Sequence, residues 1–180
     1  MLNLRPLKQG LVQVYTGGGK GKTSAAFGAA LRATGNGLSV AFIQFLKPGS
    51  DKQLLSPLHH LTYHAFGTSH EVAGWYKKRA AEELPPQEVV DGWNYAQVVL
   101  KDSQFDLVIL EELNVVMLFD FLPVNHVIDV LKQRPATQEV IITGRGAPQE
   151  LIDFADLVTE MKEIKHPFKQ GIQARKGIDF

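Results

Sequence analysis

The chain contains no cysteine, which excludes a disulfide scaffold, a cysteine-ligated zinc site, an iron–sulfur cluster and a thiol nucleophile. It also lacks an excess of charge of either sign, since nineteen Lys and Arg balance nineteen Asp and Glu. A neutral chain has no general electrostatic hold on nucleic acid or on an anionic membrane, so neither is expected as a partner. No apolar run approaches the roughly eighteen residues of a membrane span. Met1 to Gly10 intersperses Asn3, Arg5, Lys8 and Gln9 where a secretory leader would be apolar. These absences lead us to expect a soluble, cytoplasmic protein.

What is present suffices for one folded unit. With 180 residues, 44% of them hydrophobic and 21% charged, the chain is too rich in core-forming side chains to be disordered, and its size suits a single domain. Short apolar runs bounded by turn residues alternate with longer segments of helical period, which implies βαβ units and a largely parallel sheet. Residues 11–15 (LVQVY) predict a first strand, and residues 23–34 a helix that Gly35 and Gly37 end. Residues 38–46 predict a strand buried on both faces, because VAFIQFL is almost unbroken apolar sequence. Residues 47–57 read as a loop, 58–66 as a strand and 71–84 as partly helical.

Pro85 and Pro86 then break the chain, and Gln87–Lys101 predicts a helix with Val90, Trp93, Ala96 and Val99/Leu100 on one stripe. Residues 105–110 (FDLVIL) predict a buried strand. Residues 123–134 predict a helix with Val127, Val130 and Leu131 inward, and Glu139–Thr143 another strand. Pro148 opens a short helix where its missing donor is harmless, and residues 157–161 predict the last strand. From Lys162 onward the tail concentrates positive charge. No linker or second domain is evident.

The strongest chemical signal is Thr16-Gly17-Gly18-Gly19-Lys20-Gly21-Lys22-Thr23, between a predicted strand and a predicted helix. It approaches the GxxxxGK[ST] phosphate loop, with Thr16 where the first Gly would stand. Gly17, Gly18 and Gly19 permit the positive φ angles that turn backbone N–H groups inward as an anion nest, beside the positive end of the helix. Lys22 is then placed to reach terminal phosphates, and the Thr23 hydroxyl to ligate a magnesium ion held by them. Residues 105–110 run into Glu111-Glu112, a Walker-B-like strand end from which either carboxylate could hold that metal. Thr143-Gly144-Arg145-Gly146 follows another buried strand, so Arg145 emerges at the carboxyl edge where open α/β sheets bind ligands. His60 and His64 have i,i+4 spacing, but their segment alternates as a strand and lacks a third ligand, which argues against zinc.

VYTGGGKGKTSAAFG, GLSVAFIQFLK, VILEELN, ITGRGAP, ADLVTEMK and KHPFKQGIQARKGIDF occur in that order. Together they resemble the ATP:cob(I)alamin (corrinoid) adenosyltransferases whose phosphate loop is written TGxGKGKT, over residues 11–180. The resemblance implies a single three-layer α/β domain, 1–180, of the RecA-like P-loop kind with a mostly parallel six-stranded sheet. It also implies a homodimer, and a basic tail, 162–180, packed near the active site. It implies transfer of the 5′-deoxyadenosyl group of ATP to a Co(I) corrinoid with release of triphosphate. The cofactor expected is Mg²⁺ or Mn²⁺, and the partner a reductase or flavodoxin-like electron donor.

Carried to this sequence, Gly17, Gly18, Gly19, Lys20, Gly21, Lys22, Thr23, Ser24 and Arg145 bind nucleotide. Thr23 with Glu111 or Glu112 handles metal, and Lys20, Lys22 and Glu112 act in catalysis. Co(I) is already a strong nucleophile, so no general base is needed, and alignment of reactants with charge stabilisation on the departing triphosphate is the protein's task.

Two positions depart from the family pattern. Glu111-Glu112 replaces Asp-Glu, which keeps the charge. Gly67-Thr68-Ser69-His70 replaces a Gly-Phe-x-Trp stretch that shapes the corrinoid pocket, so Gly67, Thr68 and His70 are its counterparts here, without the two rings. Two other functions are compatible with a phosphate loop: a nucleotide- or corrinoid-binding carrier or regulator with little turnover, and a generic ATPase or small-molecule kinase. The small number of arginines, six, makes the last less attractive.

Overall fold

The computed structural model describes residues 7–49, 52–55, 57–67 and 85–178. Strand β1 (Val12–Thr16) leads into helix α1 (Lys22–Gly35), then β2 (Val40–Phe45), the single turn α2 (Lys52–Leu55) and β3 (Leu61–Phe66). Helix α3 (Gln87–Lys101) precedes β4 (Leu107–Glu111), α4 (Leu113–Leu118) and α5 (Val124–Leu131). The chain closes with β5 (Glu139–Thr143), α6 (Gln149–Phe154), β6 (Leu157–Glu160) and a short 3₁₀ turn, Pro167–Gln170.

The six strands form one sheet in the order β3-β2-β4-β5-β1-β6. All five pairings are parallel, so every strand ends at the same edge. Register brings Gln44 beside Glu111 and Tyr15 beside Thr143, which levels the ends of β1, β2, β4 and β5. This is the open, helix-flanked α/β architecture expected from the sequence, and its carboxyl edge is where such sheets bind ligands.

Alternation along the strands sorts the core into two layers. Val40, Phe42, Leu107, Ile109 and Ile141 face α1, whose Ala26 and Ala30 are fully buried. Alanines four apart let α1 approach closely, and Phe27 stacks on Phe42 with ring centroids 4.9 Å apart. Ala41, Ile43, Phe45, Val108, Leu110, Val140 and Ile142 face the other layer, built from α3, α4, α5 and α6. Burial on both sides explains why all of β2 is inaccessible. Edge strand β6, paired with β1, is exposed along its length.

Several details differ from the sequence reading. Val89, not Val90, is the buried first contact of α3, because the stripe runs Val89, Trp93, Ala96, Leu100. Residues 113–118 form α4 although LNVVML carries no helical period: the helix is buried on most sides, which erases the amphipathic signal. Residues 58–60 stay outside β3, with His60 at φ +64°, and α2 occupies part of the expected loop. The predicted helix at 71–84 and the residues Thr68, Ser69 and His70 lie outside the described residues.

Candidate functional site

The chain leaves β1 through Gly17 at φ +96°, where a Cβ would lie 2.5 Å from the Met161 carbonyl oxygen. Only glycine fits that turn. Gly19 donates its N–H to the same carbonyl at 2.7 Å. The loop is thus pinned to the end of β6, and the expected run of free amides is interrupted at Gly19. Gly21 stands at the N-cap of α1 and no side chain caps the helix, which leaves its first-turn N–H groups for a ligand. Lys22 lies curled over the loop, its Nζ donating to the carbonyls of Gly17 at 2.8 Å and Gly19 at 2.7 Å. Burial lowers its pKa from the ordinary lysine value, an effect that Glu112 opposes and Arg145 and Lys47 reinforce.

Across the edge, β4 ends at Glu111, which is fully buried. The Thr23 hydroxyl donates to its Oε1 at 2.7 Å, and Lys47 Nζ donates to the same oxygen at 2.7 Å. Lys47 also reaches Glu112 Oε1 at 2.9 Å. Burial raises the pKa of Glu111, as does Glu112, while Lys47 and Thr23 act to lower it. Burial likewise acts to lower the pKa of Lys47, but the two carboxylates outweigh it and hold the ammonium above the ordinary lysine range. Glu112 sits at φ +65°, and its N–H donates to Thr143 Oγ1 at 3.1 Å. Asn114 follows, donating from Nδ2 to the carbonyl of Gly144 at 3.0 Å. These bonds fix the ends of β4 and β5 against each other.

Between the loop and the acidic pair opens a cavity of about 490 Å³. Gly18 to Thr23 line one wall, with Glu112 and Arg145 beside them. The facing wall is the C-terminal tail, through Lys165, His166, Phe168, Ile172 and Arg175. Lys20 Nζ donates to the Ile178 carbonyl at 3.1 Å, tying loop to tail. Four cationic side chains besides Lys22 thus border the space, namely Lys20, Arg145, Lys165 and Arg175, against one carboxylate on its surface. Such a border of positive charge is complementary to a polyanion.

Most of the residues singled out in the sequence converge here. Lys20, Gly21, Lys22, Thr23, Glu112 and Arg145 share the cavity, while Glu111 lies behind it and touches Thr23. Gly17 is a turn residue set against Met161, and Ser24 is an exposed residue of α1 outside the cavity lining. Gly67 packs against Lys47, with a Cβ there falling 2.3 Å from the Lys47 nitrogen. Thr68 and His70 are not among the described residues. His64 is occupied in a ring cluster, 4.4 Å from Tyr95 between centroids.

Lys47 is the residue the sequence reading missed. It follows a fully buried parallel strand, and the rule that flagged Arg145 applies equally to it.

A hard divalent cation takes oxygen ligands and keeps several waters, so it needs few from protein. Glu111 Oε2 is buried without a hydrogen-bond partner, one residue from Glu112 and on the same carboxylate that the Thr23 hydroxyl contacts. Such a donor set fits magnesium or manganese. No group of three or more His, Cys, Asp or Glu able to hold a metal occurs among the described residues, so phosphate oxygens and water would complete the shell.

Residues 8–180 match the family described as ATP:corrinoid adenosyltransferase BtuR/CobO/CobP. The chain is 39% identical over 177 residues to the corrinoid adenosyltransferase of Escherichia coli, covering 96% of this chain and 87% of that one. It is 38% identical over 176 residues to the corrinoid adenosyltransferase CobA of Salmonella typhimurium, with the same coverages of 96% and 87%. To the corrinoid adenosyltransferase of Pseudomonas aeruginosa it is 37% identical over 177 residues, covering 96% and 85%.

Proposed function

The chain belongs to the ATP:corrinoid adenosyltransferase family, and from that membership we infer that it transfers the adenosyl group of ATP to a corrinoid in cobalamin synthesis. The reaction forms a cobalt–carbon bond as the electron pair of Co(I) attacks the ribose 5′ carbon. The carbon–oxygen bond to the phosphate chain breaks, and its electrons leave with triphosphate. The observation that carries the reading is the juxtaposition of a cation-bordered cavity of about 490 Å³ with the Thr23–Glu111 contact, through which a lining residue meets the carboxylate buried behind it.

The residues divide the work as follows. Gly18, Lys20 and Gly21, with the first-turn amides of α1, receive phosphate oxygens, while the Gly19 amide stays on the Met161 carbonyl. Lys22 leaves the Gly17 and Gly19 carbonyls to meet them, and Lys20 and Arg145 add charge around the departing group. Preformed charge that is strongest for the leaving triphosphate lowers the barrier more than it tightens ground-state binding. Thr23 and Glu111, with Glu112 at the cavity surface, would hold Mg²⁺ or Mn²⁺. Bound there, the ion supplies positive charge to the triphosphate. We assign the corrinoid to the side where β3 ends, at Gly67, Thr68 and His70, because Gly67 abuts Lys47 beside the acidic pair. The basic tail, facing the loop through Lys165 and Arg175, would close over the phosphates. A cytoplasmic homodimer, supplied with electrons by a reductase or flavodoxin-like protein, completes the reading.

The test is an anaerobic assay with ATP, magnesium and chemically reduced cobalamin. Loss of the Co(I) spectrum with one triphosphate per adenosylcobalamin is expected. Orthophosphate or ADP as product would sink the reading in favour of an ATPase or kinase, and binding without turnover would favour a carrier.

A further inference from the structure

Lys47 is the one charged residue of the acidic cluster that the transfer itself leaves without a task. The chain leaves β2 through Leu46 at φ +61°, with its side chain buried and its N–H donated to the Phe66 carbonyl at 2.8 Å. A non-glycine residue in the left-handed region is held there by its surroundings. Gly67 packs against the next peptide so closely that a Cβ would lie 2.3 Å from the Lys47 nitrogen. Backbone and packing together deliver the ammonium to Glu111 at 2.7 Å and Glu112 at 2.9 Å, with only 28% of the Lys47 side chain exposed. A surface lysine with a free stem is not held in this way.

A divalent cation drawn to the acidic pair needs oxygens that Lys47 already holds. Glu111 Oε1 carries both the Thr23 hydroxyl and the ammonium, and Glu112 Oε1 carries the ammonium again. The other oxygen of Glu111, Oε2, is buried without a hydrogen-bond partner. Charge points the same way. Lys47, Arg145, Glu111 and Glu112 all act electrostatically on Lys22, and these five side chains together carry a formal excess of one positive charge with both carboxylates ionised. Triphosphate reverses that sign.

We propose that Lys47 is a built-in counter-ion that keeps divalent metal off Glu111 and Glu112 until nucleotide is bound, making metal entry conditional on the triphosphate. This rests on the assignment of magnesium to Thr23 and the acidic pair. Without nucleotide the ammonium neutralises the buried carboxylate and holds it in position. With nucleotide the added negative charge favours the dication, and Lys47 gives up its oxygens to it.

The probe is Mn²⁺, followed by electron paramagnetic resonance and by thermal unfolding. In nucleotide-free protein, Lys47→Gln should bind Mn²⁺ about tenfold or more tightly than the unmodified chain. Its melting temperature should rise with Mn²⁺, since a ligand that binds only the folded state stabilises it. Lys47→Arg keeps the charge and should exclude Mn²⁺ as lysine does. A Lys47→Gln chain that gains neither affinity nor stability from Mn²⁺, folded or not, overturns the proposal, as does Lys47→Arg gaining as much as Lys47→Gln. The magnesium assignment is tested apart from this, with ATP present and Lys47 left in place. Mn²⁺ binding that survives the double substitution Glu111→Gln, Glu112→Gln would overturn that assignment.

Discussion

Thr23 and Glu111 are 88 positions apart, and the threonine hydroxyl donates to the carboxylate at 2.7 Å, joining the start of α1 to the end of β4. The contact depends on the hydroxyl, not on the methyl group. Thr23→Ser should therefore keep activity within a few-fold, while Thr23→Val should lower kcat by about a hundredfold, the usual scale for losing one preorganised polar group. Steady-state rates at saturating ATP decide this, and equal losses in both variants would show that the methyl contact matters instead.

Lys22→Ala should leave the fold intact, because the Nζ bonds only loop carbonyls. ATP should bind about ten- to a hundredfold more weakly, in line with loss of a charge-assisted hydrogen bond. Calorimetric titration beside a circular dichroism spectrum tests both parts. Unchanged affinity in a folded variant would remove Lys22 from the phosphate site.

Adjacent glycines of the loop should respond oppositely. Gly17→Ala meets the Met161 carbonyl at 2.5 Å in a backbone conformation at φ +96°, so a stability loss of about 1–3 kcal/mol is expected. Gly18→Ala meets nothing within 4 Å and should unfold at the same denaturant concentration as the parent. Similar midpoints for the two variants would refute the pinning of the loop to β6.

Tyr15 offers a pH test away from the acidic pair. Burial raises its pKa above the ordinary 10.0, Glu139 adds to the rise and Arg32 opposes it. A raised folded-state value means that the folded protein holds the phenolic proton when the unfolded chain has lost it. The associated stability is fully present below pH 10.0 and disappears as pH rises through the folded-state value. The melting-temperature difference between the parent and Tyr15→Phe should therefore be constant below pH 10 and move in favour of Tyr15→Phe above it. A difference that stays flat into strong alkali would contradict the assignment.

The frame of this site was legible wherever one residue's chemistry and one strand's burial coincided. The loop from Gly17 to Thr23 lies between the expected strand and helix, and Glu111, Glu112 and Arg145 emerge from strands whose continuous apolar sequence announces burial on both faces. Lys47 could have been marked as Arg145 was, from its place after a buried strand, but its contact with the two carboxylates could not. What makes it different is the left-handed turn at Leu46 and the close packing of Gly67, and neither leaves a pattern in sequence. Helix α4 was hidden for the opposite reason: with Leu113, Asn114, Val116 and Met117 all buried, it has no polar face to set a period. Its Asn114, a polar residue inside an apolar run, is explained only by the Gly144 carbonyl that it meets.

The strand order also governs when this protein becomes whole as it is made. β1 precedes the other five described strands in sequence, yet both of its neighbours, β5 and β6, are the last two of the six. At a synthesis rate of about 5–20 residues per second, Val12 to Thr16 waits on the order of ten seconds without a pairing partner. β2, by contrast, has both of its partners, β3 and β4, made before β5. A chain interrupted before residue 139 therefore lacks both of the strands that flank β1. The Gly19 amide likewise meets the Met161 carbonyl only after β6 has been made.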